Sequence, residues 1–188
     1  TFASLKDGLE KVSFDAEELT VTSVTDRAGR ALAFTREPKS LTVTLPQSLA
    51  WGEQAQLTVK FCGKNPKAGL KFVAADSGRP AQINTYSWPE DAHHWFPCFD
   101  NPIDKVTSEV IATVRSDFLV LSNGRLVDVA DNPGGKTKTW HWLQDKPHPT
   151  YCIMLAAGPF EVLKDSLGPL PIDYWVYPKD VADRKSVV

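Results

Sequence analysis

The sequence predicts an all-β fold, a sandwich of short antiparallel strands. Apolar and polar residues alternate with period two along most of the chain. Turn signals rich in Gly, Pro, Asn and Asp recur at the spacing of sandwich strands, roughly every 8–12 residues. No segment carries an apolar face with helical periodicity long enough for a helix.

The elements follow in order. Glu18–Val24 alternates and would place Leu19, Val21 and Ser23 on one side of a strand. Leu41–Leu45 alternates without a break and stops at Pro46, and Ala55–Phe61 does the same before Gly63. Val106–Val114 (VTSEVIATV) is rich in β-branched residues, which suit a pleated, half-buried surface. Phe118–Leu121 leads through Ser122-Asn123-Gly124 into Arg125–Val129, the pattern of a hairpin. Asp131-Asn132-Pro133-Gly134-Gly135 is a second turn, before a strand at Lys138–Trp142. Further strands are expected at Tyr151–Ala157, Phe160–Leu163 and Ile172–Tyr177, some twelve in all. The stretch Lys64–Lys105 stands apart as a long irregular middle segment rich in aromatic and proline residues. Irregular segments on a rigid β scaffold are frequent carriers of function.

Composition narrows the function classes. The chain has 188 residues, 42% of them apolar and 23% charged, the balance of a globular domain and not of a disordered or fibrous one. Length alone suggests a single domain, residues 1–188. Lys and Arg number 21 against 23 Asp and Glu, so the basic excess of a nucleic-acid-binding domain is absent and no nucleic-acid partner is expected. No apolar run approaches the ~18 residues of a membrane span. Three cysteines, Cys62, Cys98 and Cys152, are too few for a disulfide scaffold.

Candidate chemistry is sparse. His93 and His94 are adjacent; in a strand they would point to opposite faces and share a metal poorly. His94 and Cys98 have helical ligand spacing, with Asp100 nearby, but Pro97 opposes a helix, and packing around a buried loop is the preferred reading. His148, between two prolines, has the setting of a turn residue. Cys98 beside two histidines could be a thiolate nucleophile; as a lone Cys among aromatics it fits better as a small buried hydrophobe. Asp100 and Asp104 flank Asn101-Pro102 and suit turn capping. There is no G-x-S-x-G, Gly-rich phosphate loop or H-E-x-x-H. Of the six tryptophans, Trp140 and Trp142 share one strand face. Such rings either fill a core or present a sugar-binding platform, and core filling is favoured.

Several stretches together resemble one family. Trp95-Phe96-Pro97-Cys98-Phe99-Asp100-Asn101-Pro102, with Asp104-Lys105 and Glu109, resembles the W-F-P-C-F-D-x-P run of the M1 zinc aminopeptidases, the aminopeptidase N family. Asp15-Ala16 with Leu19 and Val24, Gly69-Leu70 with Phe72, Leu121-Ser122-Asn123-Gly124, and Pro149-Thr150-Tyr151 followed by Ala156–Phe160 resemble further family motifs, in family order. The resemblance implies a saddle-like β-sandwich, the N-terminal domain of a larger enzyme. The downstream catalytic domain, with its G-x-M-E-N loop and zinc-binding H-E-x-x-H…E, would then lie outside this chain. The expectation is a fragment with no catalytic residue and no metal ligand of its own, inactive alone, with zinc belonging to the parent protein.

In the family a T-Q-x-E loop before W-F-P-C helps hold the α-amine of the peptide substrate. The ungapped match is Thr85-Tyr86-Ser87-Trp88-Pro89-Glu90, with Tyr86 at the Gln position, Trp88 at the Glu position and His93 at a usual Arg. The implied substrate-binding residues are therefore Tyr86, Trp88 and Glu90. Three readings follow: Tyr86 and Trp88 shape the pocket for a bulkier or differently anchored substrate, Glu90 substitutes for the missing carboxylate, or the parent has lost its activity. The readings from another class are a carbohydrate- or protein-binding sandwich, and a non-enzymatic M1-like scaffold such as one transcription-factor subunit of similar fold.

Overall fold

The computed structural model describes residues 1–186. They contain sixteen β-strands and no α-helix. In chain order the first nine are β1 (Phe2–Ala3), β2 (Leu9–Asp15), β3 (Leu19–Asp26), β4 (Phe34–Glu37), β5 (Ser40–Leu49), β6 (Gln54–Ala55), β7 (Leu57–Gly63), β8 (Gly69–Val73) and β9 (Gln82–Tyr86). The rest are β10 (Lys105–Arg115), β11 (Leu119–Ser122), β12 (Arg125–Asp131), β13 (Thr137–Pro149), β14 (Leu155–Gly158), β15 (Glu161–Leu167) and β16 (Leu170–Val176). The all-β expectation holds, and every strand pair whose register is resolved is antiparallel.

The chain divides into two compact units. One comprises Thr1–Lys71, Tyr86–Val106 and His148–Cys152; the other comprises Phe72–Thr85, Thr107–Pro147 and the residues from Ile153 onward. In the first unit β5 is the centre of a β2-β5-β4 sheet, β3 pairs with β7, and β1 pairs with β6. Alternation along β5 buries Leu41, Val43 and Leu45, which join Val12, Ala16, Leu19, Val24 and Leu49 in one core. Removal of this much apolar surface from water is the main force holding the sheets together. Phe14 carries the core outward to Phe99, their ring centroids 5.0 Å apart.

The second unit has the sheets β10-β13-β12, β11-β14-β9-β8 and β15-β16. Its core is Phe118, Val120, Trp140, Trp142 and Ala157. Trp142 donates its indole Nε1–H to the Val120 carbonyl at 3.1 Å, so burial leaves that donor satisfied. Trp140 and Trp142 are thus core residues, as favoured.

Five sequence expectations are corrected. The alternation in β3 does not keep Ser23 inside: a bulge between Val21 and Ser23 shifts the phase, and Val24 is the buried residue. Leu119–Ser122 and Arg125–Asp131 do not form a hairpin, because β11 pairs with β14 and β12 with β13. Residues Thr150–Cys152 form a 3-10 turn, so the expected strand at 151–157 begins only at Leu155, while His148 lies in β13 and not in a turn. The middle segment is not wholly irregular, since it contributes β8 and β9.

Candidate functional site

The segment from Tyr86 to Asp100 holds the family-like loop and the W-F-P-C run, all within the first unit. Its shape is set by backbone ties at both ends. The amide of Asp91 donates to the Ser87 carbonyl at 2.9 Å, and the Ser87 hydroxyl accepts the Trp95 indole N–H at 3.2 Å. At the far end Asp15 and Cys98 exchange both backbone hydrogen bonds, at 2.8 and 3.1 Å. Ala92–His94 is a 3-10 turn between these ties. Gly69 (φ +74°) passes against it so closely that a Cβ there would lie 2.4 Å from the Asp91 carbonyl and 2.9 Å from the Trp95 ring. That contact gives the Gly69-Leu70 motif a physical reason: only glycine fits a left-handed position under this turn.

The three implied substrate-binding residues share the loop. Tyr86 and Trp88 are 59% and 61% exposed, and Glu90 is exposed. Ser87 between them is buried, so the ties run inward while the large rings face out. The Lys71 ammonium sits 5.6 Å from the centre of the Tyr86 ring, a cation–π arrangement. Exposed rings and an exposed carboxylate on one loop are groups suited to a cationic, partly apolar ligand.

Behind the loop lies a cluster that strand logic missed. In the 3-10 turn the rings of His93 and His94 lie side by side, centroids 4.5 Å apart and 31° from parallel, instead of pointing to opposite faces. Asp100, with its side chain 3% exposed, accepts hydrogen bonds from the His93 backbone N–H at 3.1 Å, from His93 Nδ1 at 2.7 Å and from the Thr150 hydroxyl at 3.2 Å. It is a buried junction and not the turn cap expected; Asn101 Oδ1 has that role, accepting the Ile103 amide at 2.9 Å. His93 Nε2 faces Glu17 Oε2 at 3.8 Å, and the Glu17 amide donates to the His93 carbonyl at 3.1 Å. His94 Nδ1 meets Glu18 Oε2 at 3.2 Å, and its Nε2 lies 3.9 Å from Asp91. Lys39 and Lys67 close the far side of Glu17 and Glu18 at 3.3 Å each. The hydrogen bond from Lys39 holds the Glu17 carboxyl below its usual value, and the Lys67 backbone amide does the same for Glu18.

The other nucleophile candidate is excluded. Cys98 is buried, and desolvation, reinforced by Asp100 and Asp15, pushes its thiol far above the ordinary range. A thiol that stays protonated is no nucleophile. Among the described residues no strand presents two exposed tryptophans.

Comparison with known proteins agrees with these motifs. The peptidase M1 N-terminal domain family matches residues 2–152. Transcription initiation factor TFIID subunit 2 of Danio rerio is 29% identical over 135 residues, 66% of this chain and 11% of that protein. The probable aminopeptidase 2 of Sulfurisphaera tokodaii is 30% identical over 131 residues, 69% of this chain and 16% of that protein. The chain spans only 10–11% of the length of the first curated relatives it matches. An M1 zinc metallopeptidase from Deinococcus radiodurans shares the fold with a TM-score of 0.73, over 85% of this chain and 37% of that one, at 23% identity. The W-F-P-C run, the glycine-tied loop before it and the two antiparallel units are accounted for together: this chain belongs to the peptidase M1 N-terminal domain family.

Proposed function

We propose that this chain, residues 1–188, is the non-catalytic N-terminal domain of a zinc metallo-aminopeptidase. It packs against a catalytic domain supplied downstream and lines one wall of the peptide cleft with the Tyr86–Glu90 loop. The observation that carries this reading is the loop itself. Tyr86, Trp88 and Glu90 are exposed on a loop tied inward through Ser87, and the sequence resemblance aligns Trp88 with the family's amine-binding acid, with Glu90 two residues on. Tyr86 and Trp88 would pack on the first side chain of a peptide, and Glu90 would pair with its free ammonium group. A charge-assisted hydrogen bond of this kind is roughly twice as strong as a neutral one.

The family's catalytic zinc has no seat here. Its H-E-x-x-H ligands are absent from the sequence, and the clustered Glu17, His93 and His94 come from two distant segments in another arrangement. Bound in the parent, that zinc would polarise water and the scissile carbonyl. The part of this chain is to orient the substrate. Among the described residues no helix is long and apolar enough to cross a membrane.

The test compares the full parent protein with the 188-residue chain on aminoacyl chromogenic substrates. The parent is expected to release the N-terminal residue and to lose that activity to a chelator, while the chain alone has none. A parent that lacks H-E-x-x-H and is inactive on every such substrate would overturn the reading and make the domain part of a scaffold.

A further inference from the structure

Glu17, His93 and His94 each offer one ligand atom, a carboxylate oxygen or an imidazole nitrogen, and these atoms all lie within 4.8 Å of one another. We propose that they form a binding site for one divalent ion of the zinc class. This site stands apart from the function proposed above, since none of Tyr86, Trp88 and Glu90 belongs to it.

The setting of His93 carries the argument. The buried Asp100 carboxyl engages His93 Nδ1 at 2.7 Å and fixes the orientation of the ring. His93 Nε2, the other ring nitrogen, then faces Glu17 Oε2 3.8 Å away. A carboxylate on the remote nitrogen is also the arrangement that orients metal-binding imidazoles and raises their basicity. His94 repeats the pattern, with Nδ1 on Glu18 at 3.2 Å or Nε2 toward Asp91 at 3.9 Å.

Ligand chemistry and charge select the ion. Two imidazoles and one carboxylate suit zinc and its neighbours better than calcium or magnesium, which take oxygen ligands. Tetrahedral zinc with bonds of ~2.0–2.1 Å separates its ligand atoms by ~3.3–3.5 Å, so the cluster needs to contract by up to about 1.5 Å across its widest span. Three protein ligands leave a position for water. Glu18, Asp91 and Asp100 surround the cluster with negative charge, against Lys39 and Lys67. Lys39 shares Glu17 Oε2 and would have to leave; its side chain is 79% exposed, so it can swing into solvent. The ion would join the β2–β3 connection, which carries Glu17, to the turn that supports the Tyr86–Glu90 loop.

The experiment is a competition titration of Zn2+ between a chromophoric chelator and the 188-residue chain, prepared without a polyhistidine tag. One equivalent is expected to bind, and the melting temperature is expected to rise with added Zn2+. Glu17→Gln, at a partly exposed position, should weaken binding by about tenfold or more and abolish the thermal shift. If that variant fails to fold, Co2+ added to the unmutated chain still reads the site. Visible d–d bands of four- or five-coordinate cobalt without a thiolate charge-transfer band are expected. Absence of a saturable equivalent, equal affinity in a folded Glu17→Gln, or cobalt bands with thiolate character would each overturn the proposal.

Discussion

Asp100 shows how much one residue can organise. Its carboxylate takes three hydrogen bonds, two of them from His93, in a place with almost no access to water. Asp100→Ala would leave the His93 N–H groups buried without an acceptor, whereas Thr150 keeps its alternative bond to the Phe99 carbonyl at 3.2 Å. Unsatisfied buried donors are costly, so the variant should lose about 2–4 kcal/mol of stability. Urea denaturation would measure this, and a loss under about 1 kcal/mol would show that the junction is dispensable. The sequence made Asp100, His93 and His94 visible as candidates but not as a cluster. Placing adjacent histidines on opposite faces assumes an extended backbone. The ties through Ser87, Trp95 and Gly69 impose a 3-10 turn instead, and such distant constraints leave no mark in local periodicity. Glu17, from a segment some 76 positions away, could not be paired with them by spacing at all.

At the scale of elements, most strands were legible because each has one buried face, and burial writes itself as alternation. Leu41–Leu45 and Val106–Val114 are the clearest cases, matched by β5 and β10. The strands β1, β2, β4, β6, β8 and β9 were missed: all but β2 have five residues or fewer and carry too little pattern to separate from loop. Pairing was the harder problem. Ser122-Asn123-Gly124 has hairpin chemistry, yet Gly124 (φ +82°) lets the chain leave one sheet for another. A Cβ there would lie 2.0 Å from the Leu143 carbonyl oxygen. Asn123 Oδ1 accepts the Met154 amide at 2.7 Å and fixes the exit. Gly134 has a similar φ of +88° but nothing within 4 Å of its would-be Cβ. Comparing the two separates backbone strain from steric clash. Gly134→Ala should cost about 1–2 kcal/mol, the left-handed penalty alone. Gly124→Ala adds a clash with backbone and should cost about 3 kcal/mol or more. Equal losses in thermal or urea denaturation would contradict the role given to the Leu143 approach.

At the scale of the whole molecule, two units with separate cores carry one family signature, matched over residues 2–152. Family membership was legible from short motifs because each marks a fixed contact, such as Gly69 under the Asp91 turn or Asp15 paired with Cys98. The exposed loop is different: Tyr86, Trp88 and Glu90 are exposed, and under the proposed function their identity answers to the substrate. Tyr86, Trp88 and Glu90 can therefore be changed with little effect on stability. The most direct measurement is steady-state kinetics of the full parent protein carrying Trp88→Ala with Glu90→Gln. The account predicts a KM for free-amine peptides raised about tenfold, equivalent to about 1.4 kcal/mol of lost binding, with an unchanged melting temperature. An unchanged KM in the active double variant would place the loop outside the cleft and contradict the account.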